Sequence, residues 1–116
     1  DQSQLSVRRL ESNSTLESYE TIYLNAWQRQ VETTGYFQIS QKDILQGNFK
    51  VQIRSIIDSM GNLIGADILK SSGNLSMDAL ALKILQQSAP FEPFPVDMAA
   101  NYQQLEIIRD WNFTNS

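Results

Sequence analysis

The chain has 116 residues, 41% of them apolar, with a formal charge of −4 and neither histidine nor cysteine. Its length allows one domain with a modest core, while the missing residue types remove histidine bases, cysteine nucleophiles, Cys/His zinc sites and disulfides. A single basic pair, Arg8-Arg9, gives no cationic stripe for nucleic acid or an anionic membrane, and no apolar run approaches the roughly 20 residues of a membrane-spanning helix.

Catalysis could use only carboxylates or a Ser-Lys pair, so neither an enzyme nor a cofactor is expected. The sequence opens at Asp1 without a methionine or a signal-peptide core, which reads as a piece of a longer protein. Residues 1–13 are polar and aperiodic: a linker end, with a helical turn at Leu5 to Leu10. Ser14-Thr15-Leu16-Glu17 has capping-box form, and apolar residues at 16, 19, 23, 26, 27 and 31 then follow helical spacing. This predicts a helix over about 16–33, stopped by Gly35.

Phe49 to Asp58 alternates apolar and polar residues, with Ile56 the exception, and so predicts a half-buried strand. Ser59-Met60-Gly61-Asn62 supplies a turn, and a second strand runs from about Leu63 to Ser71 with a bulge near Gly65. Ser76 then caps a helix ending near Ser88, with Leu75 and Leu80 as a hydrophobic staple. Its inward stripe is Met77, Leu80, Ala81, Ile84 and Leu85.

The segment Ala89 to Pro95, APFEPFP, formally matches a polyproline ligand. It joins a capped helix to a core strand, so it reads as a strap that crosses the domain end without regular hydrogen bonds while Phe91 and Phe94 plug the core. A polar connection over Asp97 to Asn101 leads to the last strand, Tyr102 to Phe113. Leu105, Ile107, Arg109, Trp111 and Phe113 share one face of that strand. The expected fold is α+β, helix-strand-strand-helix-strand: a three-stranded antiparallel sheet with two helices on one face.

These residues resemble the TonB C-terminal domain family. Asp58 and Gly61 fill its Asp-x-x-Gly turn, Ser71-Ser72-Gly73 its Ser-Ser-Gly loop, and Asp78-Ala79 the start of the following helix. Tyr23 to Glu32, the strap with Phe91 and Phe94, and Arg109-Asp110-Trp111-Asn112-Phe113 resemble a proteobacterial subgroup, so the likeness runs from about Glu20 to Phe113. One departure is clear. The family's Tyr-Pro, near its receptor contact, is replaced by Ile39-Ser40, and the stretch to Gly47 is several residues short.

The resemblance implies residues 14–116 as the domain and 1–13 as the end of a periplasmic linker, with an N-terminal inner-membrane anchor beyond this sequence. It implies a Gram-negative energy transducer joining a proton-driven inner-membrane motor to an outer-membrane transporter. An extended peptide would add to the edge of the last strand by β-augmentation, flanked by Gln104, Glu106, Ile108, Asp110 and Asn112. The same edge could pair two copies as a homodimer, and Ile108 could instead meet the chain's own N-terminal segment.

Three rival readings remain at this stage. A paralogue could serve pilus or envelope assembly, as in twitching motility. A TolA-like domain shares the fold but generally carries a disulfide. A secreted binding module would use the sequons at Asn13, Asn74 and Asn112.

Overall fold

Two long alternating strands organise the molecule. The computed structural model describes residues 6–40 and 48–114. Strand β2, Asn48–Asp58, buries Val51, Ile53, Ser55 and Ile57 on one face, as its period of two predicts. It pairs antiparallel along its whole length with the last strand, from Asn48 opposite Thr114 to Asp58 opposite Gln104. On its other side it forms the expected hairpin with β3, Leu63–Lys70. That hairpin carries two bulges. Ile64 is the extra residue beside Gly65, and Leu69 is a second one that the sequence does not announce.

The helices cover one face of the sheet. α1, Ser18–Ser40, contributes Tyr23, Leu24, Trp27 and Val31 to the core, and α2, Leu75–Ser88, contributes Met77, Ala81, Ile84 and Leu85. α1 does not stop at Gly35. A Cβ there would sit 3.6 Å from two Ile84 carbons, so the glycine lies where the helices meet. Packing at that crossing outweighs a propensity cost of about 1 kcal/mol.

The capping residues differ from expectation by a few positions. Ser14 Oγ accepts from Glu11 N at 2.8 Å and so closes the preceding turn. It is Glu20 that reaches back from the first turn of α1 to accept from Glu17 N at 2.9 Å. In α2 the cap is Asn74, which accepts from Met77 N, rather than Ser76. Leu75 is 84% exposed, so the staple with Leu80 does not form. The stretch assigned to a polar connection holds α3, Val96–Ala99, which buries Met98 completely.

The larger correction is at the amino terminus. Val7–Leu10 is a strand, β1, rather than a linker end with a helical turn, and it pairs parallel to β4, Gln104–Thr114. The sheet is therefore mixed and four-stranded, in the order β1-β4-β2-β3. The last strand is internal over the part that β1 covers. Four residues with two adjacent charges show no alternation, which hides this strand from pattern reading. Its charges are satisfied by partners distant in sequence: Arg8 by Glu20, Arg9 by Glu106. Leu5 and the shortened stretch from Gln41 to Gly47 lie outside the described residues.

The strap is fastened more firmly than the sequence reading allowed. Phe91 N donates to Gly61 O at 2.8 Å and Phe94 N to Ser59 O at 2.9 Å, so it is hydrogen-bonded to the β2–β3 turn. Tyr23 Oη donates to Glu92 O at 2.7 Å, and Gln30 Nε2 donates to Pro90 O at 2.8 Å. Phe91 and Phe94 are buried, Phe94 edge-on to Tyr23. A segment held this way is part of the scaffold.

Candidate functional site

The family-like motif residues build the two turns that aim the strands. Asp58 Oδ1 accepts from Met60 N and Asn62 N at 3.0 and 2.9 Å, an Asx-type closure of the hairpin. Burial opposes ionisation of Asp58, but these bonds outweigh it and hold its pKa below the ordinary carboxylate value. Gly61 has φ of +92°, and a Cβ on it would lie 2.1 Å from Phe91 O. Only glycine lets the strap come that close.

Ser71 and Ser72 hydroxyls and Ser72 N all donate to Asp78, locking the Ser-Ser-Gly loop onto the first turn of α2. The Ser71 bond is the largest cause of the lowered pKa of Asp78. Gly73 takes a φ of +90° in open space, and Ala79 is exposed on α2. These residues shape the fold and do not line the cleft between α1 and β4.

The structure divides the five residues expected along the last strand into two groups. Gln104 and Glu106 lie under β1, opposite Val7 and Arg9. Glu106 is 7% exposed and bridges Arg9 Nε at 3.1 Å and Arg54 Nη1 at 3.7 Å on the helix-free face. With Arg54 also paired to Asp67 on β3, a charge ladder crosses all four strands. Glu106 is thus a buried structural anchor, and the own-chain contact foreseen for Ile108 falls on Gln104 and Glu106 instead.

Ile108, Asp110 and Asn112 lie beyond the end of β1. Ile108 is half-buried opposite Arg54, Asp110 pairs with Lys50 Nζ at 3.8 Å, and Asn112 is exposed opposite Lys50. No strand among the described residues pairs with β4 from Ile108 onward on the side away from β2. The flank is therefore half sealed and half open, with the boundary between Ile107 and Ile108.

On the helix-covered face, the open half borders a cleft of about 400 Å³ between α1 and β4. Trp27, Val31 and Tyr36 line it from the helix, and Arg109, Trp111 and Phe113 from the strand. Trp111 shares that face with the buried Leu105, Ile107 and Phe113 but is only partly buried, because it forms this wall.

The residues that fix where the open half begins were not singled out from sequence. Leu10 is 1% exposed and belongs to the core. Glu20, equally buried, accepts from Arg8 Nε at 2.9 Å, Arg8 Nη2 at 3.3 Å and Tyr102 Oη at 2.7 Å, besides Glu17 N. Burial would raise its pKa, yet these four hydrogen bonds prevail and lower it. The signal available in sequence was Arg8-Arg9 followed by Leu10: the only basic pair, placed next to an apolar residue.

Among the described residues no group of acidic side chains could hold a metal ion, and no helix is long and apolar enough to cross a membrane. A family model, Gram-negative bacterial TonB protein C-terminal, matches residues 34–114. That span holds β2 through β4 and excludes β1 and most of α1. No curated protein and no solved structure matches the chain.

Proposed function

The chain belongs to the Gram-negative bacterial TonB protein C-terminal family, a family of non-enzymatic periplasmic domains that interact with envelope proteins, and we propose that this member grips its partner by strand addition to β4 from Ile108 to Phe113. The partner is an outer-membrane transporter or another envelope protein. The grip couples it to a proton-driven motor of the inner membrane through a preceding anchor. One observation carries the reading: the outer flank of β4 already accepts a strand, β1, and no other strand among the described residues pairs with the rest of it.

An exposed flank offers unmatched N–H and C=O groups to an extended segment. Four to six added hydrogen bonds, each netting about 0.5–1.5 kcal/mol, give a weak and reversible hold once ordering costs are met. Aromatic walls beside the flank add apolar contact on one side of the incoming strand. Backbone pairing also suits a load-bearing contact, since tension along the strand strains several bonds at once.

The 116 residues hold no cysteine, so one introduced here has no competitor within the domain. A single Asn112→Cys variant of the full-length protein, expressed in the bacterium that encodes it, should form disulfide-trapped adducts with cysteine-bearing outer-membrane partners. A Leu69→Cys variant on the flank of β3 should not. Adducts formed only from position 69 would overturn the assignment to β4. Recovery of pilus components alone would exclude the uptake role while leaving the strand-addition site in place.

A further inference from the structure

We propose that β1 is a mechanical clamp: it takes up tension arriving from the amino-terminal side of the chain and passes it into β4 as shear. This rests on the reading of a domain pulled between a preceding anchor and a partner, and adds the element that bears the pull.

The direction of the load follows from the register. β1 runs parallel to β4, with Val7 opposite Gln104 and Leu10 opposite Ile107. A partner beyond Ile107 would sit on the same flank, farther along. At about 3.3 Å per residue, Gln104 and Asn112 lie roughly 26 Å apart on the strand. A body held at two points turns until the line between them follows the force, so tension between these points runs along β4. The chain enters β1 at the outer end, where Gln103 N and Gln104 N donate to Ser6 O at 3.0 and 3.1 Å. Pulling there drags β1 lengthwise instead of lifting it off.

Sliding is resisted on both faces of the sheet. Arg8 turns toward the helices, where its Nε donates to the buried Glu20 at 2.9 Å and its Nη2 to Thr15 O at 2.8 Å. Arg9 turns the other way and donates to Glu106 at 3.1 Å. Leu10 closes the strand in the core. A slip of one residue toward the amino terminus exchanges the faces. It would carry Leu10 out of the core to lie opposite Glu106, which loses Arg9. A slip of two would leave Leu10 in the place of Arg8, opposite Leu105, and Glu20 without a guanidinium. Neither register is a resting point, so β1 holds or releases as one unit.

The test needs no partner. Single molecules are stretched between the amino terminus and one introduced cysteine. Asn112→Cys, toward the far end of β4, loads β1 in shear, whereas Gln103→Cys, beside the amino end of β1, peels it. Both side chains are exposed. At equal pulling rate the first rupture with Asn112→Cys should need about twofold more force, or higher, than with Gln103→Cys. That rupture should free residues 6–17, at most about 40 Å of chain, before the rest of the fold opens. Adding Arg8→Gln should lower the force measured with Asn112→Cys.

Equal forces in the two geometries, or a shear force that Arg8→Gln leaves unchanged, would overturn the clamp. Its failure would leave the strand-addition site to the disulfide trapping above, and failure of that trapping would leave the difference between the two pulling geometries standing.

Discussion

Glu20→Gln is the sharpest probe of how β1 is held. The carboxylate is 1% exposed and receives hydrogen bonds from two Arg8 nitrogens, Tyr102 Oη and Glu17 N. A glutamine keeps the shape, but its NH₂ must face at least one of those donors, and the Arg8 guanidinium loses its counter-charge. Removing one partner of a buried pair costs about 3–5 kcal/mol. Arg8 is 35% exposed and can recover water, so about 2–3 kcal/mol is the expected loss.

That loss should appear as a urea midpoint lowered by about 1–2 M with an unchanged slope, and as faster amide exchange at Val7 to Leu10. The pH dependence supplies a second reading. The folded-state pKa of Glu20 lies below its ordinary value of 4.5. Its stabilisation is therefore complete above that value and fades as pH falls through the lower, folded one. The gap between wild type and Glu20→Gln should narrow below about pH 4.5 and stay constant above it. A midpoint shift equivalent to less than about 0.5 kcal/mol at neutral pH, or a gap that widens in acid, would refute this account.

Two further outcomes follow from the packing. Gly61→Ala should cost more than about 2 kcal/mol in urea unfolding, since it meets both positive φ and the Phe91 carbonyl, whereas Gly73→Ala meets only the backbone strain and should cost about 1 kcal/mol; equal costs would mean the strap is not held against the turn. Leu10→Ala should cost about 2–4 kcal/mol in the same assay, because Leu10 is 1% exposed within the core; a loss under about 0.5 kcal/mol would detach β1 from the folded unit.

Strands with long alternation were legible from sequence because burial imposes period two along their whole length. β2 and β4 could be read this way, and so could the α2 stripe, where Pro90 sets the end of the helix. The capping residues could not be fixed to the residue, because Ser14, Ser76 and Asn74 all fit a cap and only the tertiary path chooses among them. β1 escaped for a different reason. Its two arginines face opposite sides of the sheet, one to Glu20 and one to Glu106, and both partners are far off in sequence. Period-based reading treats such charges as solvated.

The same oversight displaced the site. With β1 taken as linker, the whole of the last strand looked like a free edge, and Glu106 looked like a surface carboxylate. In the fold, Glu106 lies between two guanidinium groups, and the half of the flank that no described residue pairs with begins where β1 stops. The run of residues expected to flank a partner therefore began too early, under β1. Ile108, Asp110 and Asn112 remain beside the opening, while Gln104 and Glu106 serve the chain's own sheet.

This division has a mechanical consequence for any strand added beyond Ile107. It would share β4 with β1, lying along the same flank, so tension between the two would pass through one continuous strand. A ladder loaded along its length must break several hydrogen bonds together, whereas one loaded across its end opens bond by bond. β1 meets the first condition with a four-residue ladder, an ion pair on each face of the sheet, and Leu10 in the core. The short amino-terminal strand is thus the stronger of the two attachments: its charges and core residue are already satisfied, while a visiting strand brings mainly backbone bonds and one side of contacts. Under load the visitor should let go first.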